Sequence, residues 1–198
     1  MKQQKTFFLA VSLVVATVIL CGPVVAAKGA LRINPDRPAI VPKGFISFCF
    51  RQPEHCLPSE PQTVAMDDGR WSELKSVNSL YNVTVSPITD HQRHGVQERW
   101  EHADKFGDCE DYVLAKKSHL VATGWPRSTL LIAVVDIPKA PLLERRHAVL
   151  LVKSTDGILV LDNRAPDVKS WEDVDYKWIS VQSGSNPYVW HRVDRGEN

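Results

Sequence analysis

Three residues of this chain have the chemistry to break an acyl bond together: Cys109, His147 and Asp162. Cys109 stands in Gly107-Asp108-Cys109-Glu110-Asp111-Tyr112, where a polar stretch gives way to a helical pattern. Asp108 suits the N-cap position, which puts Cys109 in the first helical turn. Backbone N–H groups and the helix dipole there stabilise a thiolate. A nucleophilic cysteine also needs a base, and the base needs an orienting partner. His147 opens one apolar run and Asp162 closes the next. Read singly, each is weak: a histidine at a strand start is more often structural, and an aspartate before Asn163 is usually a turn former. Their order, Cys on a helix, His on a strand and Asp on the following strand, is far more specific.

The elements that must position them can be read from periodicity. Trp71, Leu74, Val77, Asn78 and Tyr81 recur at spacings of three and four, predicting a helix from about Asp67 to Val85 that ends at Ser86-Pro87. A second helix is predicted from Asp108 to about Ala122, stopped by Thr123-Gly124-Trp125-Pro126. Residues 129–136, 147–153, 157–162, 176–182 and 188–193 read as strands. Residues 28–65, rich in proline, read as an irregular arm. Helices followed by an antiparallel sheet make an α+β domain. Asp156-Gly157 signals a hairpin. A two-residue turn there would set Asp162 opposite Leu151, roughly 13 Å along the strand from His147. A turn centred on Ser154-Thr155 would pair His147 with Asp162 directly.

The start of the chain needs separate treatment. Met1 to Lys5 is basic, Thr6 to Leu20 is almost uninterruptedly apolar, and small residues follow to Ala26-Ala27. This is the pattern of a secretory signal peptide over residues 1–27, leaving a domain of residues 28–198 in the periplasm or outside the cell. An uncleaved anchor is the alternative; a lipoprotein site at Cys21 is disfavoured by the bulky Leu20. The formal net charge of +1 gives no electrostatic footprint for nucleic acid. With export, Cys49 and Cys56, close in sequence around Pro53, read as a local disulfide. Cys109 is then the odd thiol, either buried and inert or reactive.

Asp108, Glu110 and Asp111 crowd that thiol, and their charge opposes its ionisation. Acids at a helix N-terminus also simply favour the dipole. The other reading is a hard divalent cation bound by these oxygens. His91, His94 and His102 lack the spacing of a zinc site and read better as a solvated or substrate-facing loop. Trp100 and Trp125 suit a core, with a cleft lining as the alternative.

The string Gly107-Asp108-Cys109-Glu110-Asp111-Tyr112 resembles the nucleophile motif of the bacterial transglutaminase-like cysteine proteinases. Gly124-Trp125-Pro126, Arg146-His147-Ala148-Val149-Leu150 and Leu159-Val160-Leu161-Asp162-Asn163 are similar to that family in the same order, as are Phe48-Cys49 with Cys56 and Thr89-Asp90 upstream of Trp100. The resemblance covers essentially the whole of residues 28–198. It implies a papain-like, transglutaminase-type core in which a Cys-bearing helix packs on an antiparallel sheet. It also implies a Cys109–His147–Asp162 triad, and calcium held by Asp108 and Glu110 with Asp111 as a further candidate. The best-understood members are periplasmic proteases acting on a protein substrate, a large surface adhesin cut at a paired-alanine site, under an inhibitory membrane receptor for cyclic-di-GMP. Peptide hydrolysis is therefore the expected activity. Acyl transfer to an amine by the same triad, and a non-catalytic binding protein of the same fold, are the alternatives.

Overall fold

The computed structural model describes residues 31–195. The signal peptide expected over residues 1–27 lies outside them. In chain order the main elements are β1 (Leu31–Pro38), α1 (Lys43–Arg51), α2 (Asp68–Thr84), β2 (Ser86–Pro87), α3 (Asp90–His94), β3 (Phe106–Gly107), α4 (Cys109–Ala122), β4 (Leu130–Asp136), β5 (Arg146–Ser154), β6 (Gly157–Leu161), β7 (Lys169–Ser170), β8 (Lys177–Gln182) and β9 (Trp190–Arg195). Seven strands form one antiparallel sheet in the order β1-β9-β8-β4-β5-β6-β7, and β2 with β3 makes a small parallel pair. Apart from β1, which joins the sheet ahead of the first helix, the helices lead and the sheet follows, as in an α+β domain.

The central strands are apolar throughout because both of their faces are covered. On the helix side, Leu130 and Ile132 of β4, Ala148, Leu150 and Val152 of β5 and Leu159 and Leu161 of β6 pack with Phe45, Leu74, Val77, Val113, Leu114 and Leu120. On the other side, Leu131, Ala133, Val135, Val149, Leu151 and Val160 pack with Trp178 and Val181. Helix α4 is the hub. Tyr112, Val113, Leu114, Ala115, Lys116 and Lys117 are all buried, so it has no solvent face over its middle turns.

The arm expected to be irregular is ordered. β1 closes one sheet edge against β9, with a register break between Ile33 and Pro38; its prolines, Pro35 and Pro38, are tolerated because that edge is free. Helix α1 buries Phe45, Phe48 and Cys49 and is stapled to the following turn by a Cys49–Cys56 disulfide, with Cα atoms 5.6 Å apart. Trp100 packs edge-on to Phe45 at 5.7 Å, and Trp125 is likewise buried, its Nε1–H donating to Glu73 Oε2 at 2.8 Å. Both tryptophans belong to the core.

Candidate active site

The β5–β6 hairpin decides where His147 and Asp162 meet, and neither predicted register is the observed one. Ser154 pairs with Gly157, so the turn residues are Thr155 and Asp156, and Leu150 lies opposite Leu161. Gly157 carries φ of +129°, so the glycine is needed at the first position of β6 and not within the turn pair. Asp162 then follows the last paired residue and is free to bend toward the start of β5. His147 Nε2 lies 2.8 Å from Asp162 Oδ1, with both residues buried. An ionised carboxylate only accepts, so Nε2 carries the proton in this pair.

Asp162 is held on every side. Its Oδ1 also accepts the Arg164 N–H at 2.8 Å, and the Tyr176 O–H donates to Oδ2. Burial pushes its pKa up, but the His147 hydrogen bond and charge, followed by the Tyr176 and Arg164 bonds, outweigh it and hold the carboxyl below its ordinary range. Its backbone is clamped as well. Asn82 Nδ2 donates to the carbonyls of Asp162 (2.8 Å) and Ala165 (2.9 Å), and Asn78 Nδ2 donates to those of Ala165 and Pro166 (3.1 Å each). Lys116 Nζ in turn donates to Asn78 Oδ1 and Asn82 Oδ1, both at 2.7 Å. A buried ammonium on the Cys-bearing helix is thereby linked through α2 to the Asp162 loop. Burial, opposed by the nearby Asp162 charge, lowers the Lys116 pKa to about 7.

Cys109 opens α4, as its capping pattern predicts, with Asp108 at the N-cap in an extended conformation. Gly107 is required just before it because a Cβ there would lie 2.8 Å from the Asp111 Cβ. The sulfur sits beside the backbone N–H of Ala148, the residue after His147. Among the described residues its side-chain hydrogen bond is to Glu110 Oε2, at 3.1 Å. The thiol pKa is pushed well up, first by burial and then by the Glu110 and Asp108 carboxyls, while the Ala148 N–H opposes the shift. The protein thus brings His147 and Asp162 into direct contact, and brings Cys109 to the same strand end with its thiol bound to an acid.

The three acids nominated as ligands separate. Asp108 and Glu110 gather with Asp90, their oxygens within 4.8 Å of one another. Asp111 faces the other way: its Oδ1 accepts the Glu101 N–H at 2.8 Å and its Oδ2 the Asp108 N–H at 3.4 Å, so it fastens the segment that leads into α4. The third acid of the cluster is Asp90. It is the first residue of α3 and is positioned by a Thr89/Gln92 capping box. Its Oδ2 accepts the Arg99 N–H, and Asp108 Oδ2 accepts the Asp90 N–H at 3.3 Å. Thr89-Asp90 belongs to the family-like pattern of the sequence; only the tertiary structure brings Asp90 beside Asp108.

The donor set fits a hard cation such as calcium. It consists of carboxylates alone, and Asp108 Oδ1 is buried with no partner among the described residues. Burial and then Asp90 raise the Asp108 pKa to about 6, and burial followed by Asp108 raises Glu110 well above its ordinary range. Among the described residues the three histidines form no ligand cluster: His94 Nε2 meets Glu101 Oε1 at 3.0 Å, while His102 packs edge-on to His55 at 4.5 Å and to Phe48 at 5.3 Å.

The sequence pattern of the bacterial transglutaminase-like cysteine proteinases matches residues 36–198. This chain belongs to that family. The proteinase is similar to calcium-bound LapG of Legionella pneumophila, with 25% identity and a TM-score of 0.52 over 68% of this chain and 75% of that one. A second LapG structure aligns at 27% identity and a TM-score of 0.45 over 56% of this chain and 63% of that one. A search of the curated proteins found no match. The proteinase is thus a cysteine protease of transglutaminase-like fold, acting on protein.

Proposed function

We propose that this proteinase cuts its protein substrate with Cys109 as nucleophile, His147 as general base and acid, and Asp162 as the group that orients His147. The observation that carries this reading is the buried His147–Asp162 hydrogen bond at the strand end where Cys109 opens α4. The Cys109 sulfur gives its proton to His147 Nδ1 and attacks the scissile carbonyl. His147 passes that proton to the leaving amine, and the acyl group remains on sulfur as a thioester. Water, deprotonated by His147, then releases the acid and restores the thiol. The Cys109 backbone N–H, at the first helical position and without an intrahelical acceptor, would donate to the oxyanion.

Asp90, Asp108 and Glu110 would hold calcium in this reading. Bound there, the cation supplies positive charge that offsets the acids opposing thiol ionisation. Glu110 is both a candidate ligand and the acceptor of the thiol; with its charge engaged by the cation it is the weaker acceptor and leaves the thiol to His147. Two supports are the likeness to a calcium-bound LapG and the orphaned Asp108 Oδ1. Export with removal of residues 1–27 is supported by the signal-like start and by the Cys49–Cys56 disulfide. A large surface adhesin as substrate and a membrane receptor as restraint extend the reading by family resemblance.

The test is the pH dependence of Cys109 alkylation by iodoacetamide, with calcium and with chelator, in wild type and His147→Ala. The expected outcome in calcium is a thiolate that reacts below the ordinary cysteine pKa of about 8.5, with that reactivity lost in His147→Ala. An ordinary thiol in both conditions overturns the reading.

A further inference from the structure

We infer that Tyr176 is a positioning residue of the catalytic apparatus, a fourth member that fixes the Asp162 carboxylate and, through it, the His147 ring. This rests on the triad reading above and goes beyond it.

Two contacts place Tyr176 at the site. Its O–H donates to Asp162 Oδ2, while Oδ1 is taken by His147 Nε2 and the Arg164 N–H. Its ring stands edge-on to the His147 imidazole, with centroids 6.1 Å apart and an interplanar angle of 70°. The phenol therefore engages the carboxylate oxygen that His147 leaves free and walls one side of the ring that the carboxylate orients. Without the O–H, Oδ2 of a residue only 2% exposed loses its donor. The carboxylate can then rotate, and the His147 hydrogen bond loses its fixed acceptor. Burial and the Asp162 charge both raise the Tyr176 pKa, so the phenol stays protonated and donating across the working pH range.

The backbone that delivers Tyr176 is irregular at the right place. β8 pairs with β4 through Val134↔Ser180 and then Val135↔Trp178, leaving Ile179 as an extra residue. Val135 is also the partner of His147 on β5, so Trp178, Val135 and His147 form one row across three strands. The bulge at Ile179 puts Trp178 on the sheet face that carries Val135 and Val149. Tyr176, two residues earlier, falls on that same face and reaches the His147 end of the row. A regular β8 would set Ile179 in the row and turn Tyr176 to the other side. Bulges of this kind re-aim side chains beside active sites.

The experiment is a double-mutant cycle on calcium-loaded protein, with Tyr176→Phe, Asp162→Asn and the pair, using p-nitrophenyl acetate as the acyl donor. Phe keeps the ring and removes only the donor. In the wild-type background kcat is expected to fall about 10-fold with KM within about twofold. In the Asp162→Asn background the same change should cost less than about twofold, because the group through which Tyr176 acts is already altered. The downfield proton shared by His147 and Asp162 should move upfield in Tyr176→Phe, read by NMR below the melting temperature of every variant. A kcat within about twofold of wild type, or equal losses in both backgrounds, overturns the inference and leaves the triad standing. An Asp162→Asn variant with wild-type kcat overturns the triad reading itself, and Tyr176 with it.

Discussion

The two halves of this active site are built to opposite standards. On the sheet side both carboxylate oxygens and the carbonyl of Asp162 have partners, and its loop is bonded to α2 and, through Asn78 and Asn82, to a buried ammonium on α4. The Asp162 carboxylate is thus satisfied by the protein alone. On the helix side three acids converge, one carboxylate oxygen is buried without a partner among the described residues, and the Cys109 thiol is bound to one of the acids. Like charges in low dielectric repel, and burial raises the pKa values of Asp108 and Glu110. A half that is unfavourable by itself is one that a ligand can switch. On the proposed reading, His147 is held ready in advance and the reactivity of Cys109 is conditional on the cation.

Breaking the finished half should have the largest effect. Asp162→Asn removes the charge that orients His147, and turnover of p-nitrophenyl acetate should fall roughly 10³-fold with the protein still folded. Retained activity would mean that the preformed pair is structural.

The clamp behind that half is expected to matter for stability next. Asn78→Ala leaves the Lys116 ammonium short of one acceptor and removes the donor to the Ala165 and Pro166 carbonyls. A loss of about 3 kcal/mol in chemical denaturation is expected. A loss under about 1 kcal/mol would show that the network is not a tie between α4 and the Asp162 loop.

The unfinished half should respond to calcium. Wild type should gain about 2–4 kcal/mol at calcium concentrations of roughly 100 to 1,000 times the dissociation constant, seen as a rise in melting temperature. Asp90→Asn should lose most of that gain, whereas Asp111→Asn should bind calcium while being less stable in its absence. An equal gain in wild type and Asp90→Asn would remove Asp90 from the ligand set.

The smallest effect is a slope with pH. Asp108, raised to about 6, and Asp111, raised to about 8, both chiefly by burial, hold protons in the folded chain that they release on unfolding. The stability they add is fully present below the ordinary carboxylate pKa of about 4. It is lost as pH rises through about 6 and then about 8. In chelator, melting temperature should therefore decline by a few degrees between about pH 5 and pH 8, and calcium should flatten the part due to Asp108. Parallel curves with and without calcium would show that the acids do not form the cation site.

The same two halves differ in how far the sequence reveals them. The helix that starts at Cys109 is a local matter of capping, dipole and periodicity, so Asp108, Cys109 and the span to Ala122 are all legible. The strands of the core are legible from their β-branched, apolar runs. β1 and α1 are not, because prolines and short spacing hide periodicity, and β1 is held by a partner, β9, from the far end of the chain. The hairpin register escapes because Asp156-Gly157 looks like a turn pair, while Gly157 takes its positive φ one step later. Asp111 looks like a ligand by adjacency, yet neighbours on a helix point in different directions, and it bonds Glu101 and Asp108 instead.

By itself the sequence determined which residue types this protein could use: a thiol at a helix start, an imidazole and a carboxylate on successive strands, and acids around the thiol. Those follow from covalent neighbours and short-range periodicity. Only the tertiary structure decided that Asp90 and not Asp111 joins the acidic cluster, that Asp162 bends to His147 from an unpaired position, and that a bulge in β8 delivers Tyr176 beside them. The physical reason is that burial and long-range pairing act between residues far apart in the chain, and no local pattern encodes the face or the distance at which they meet.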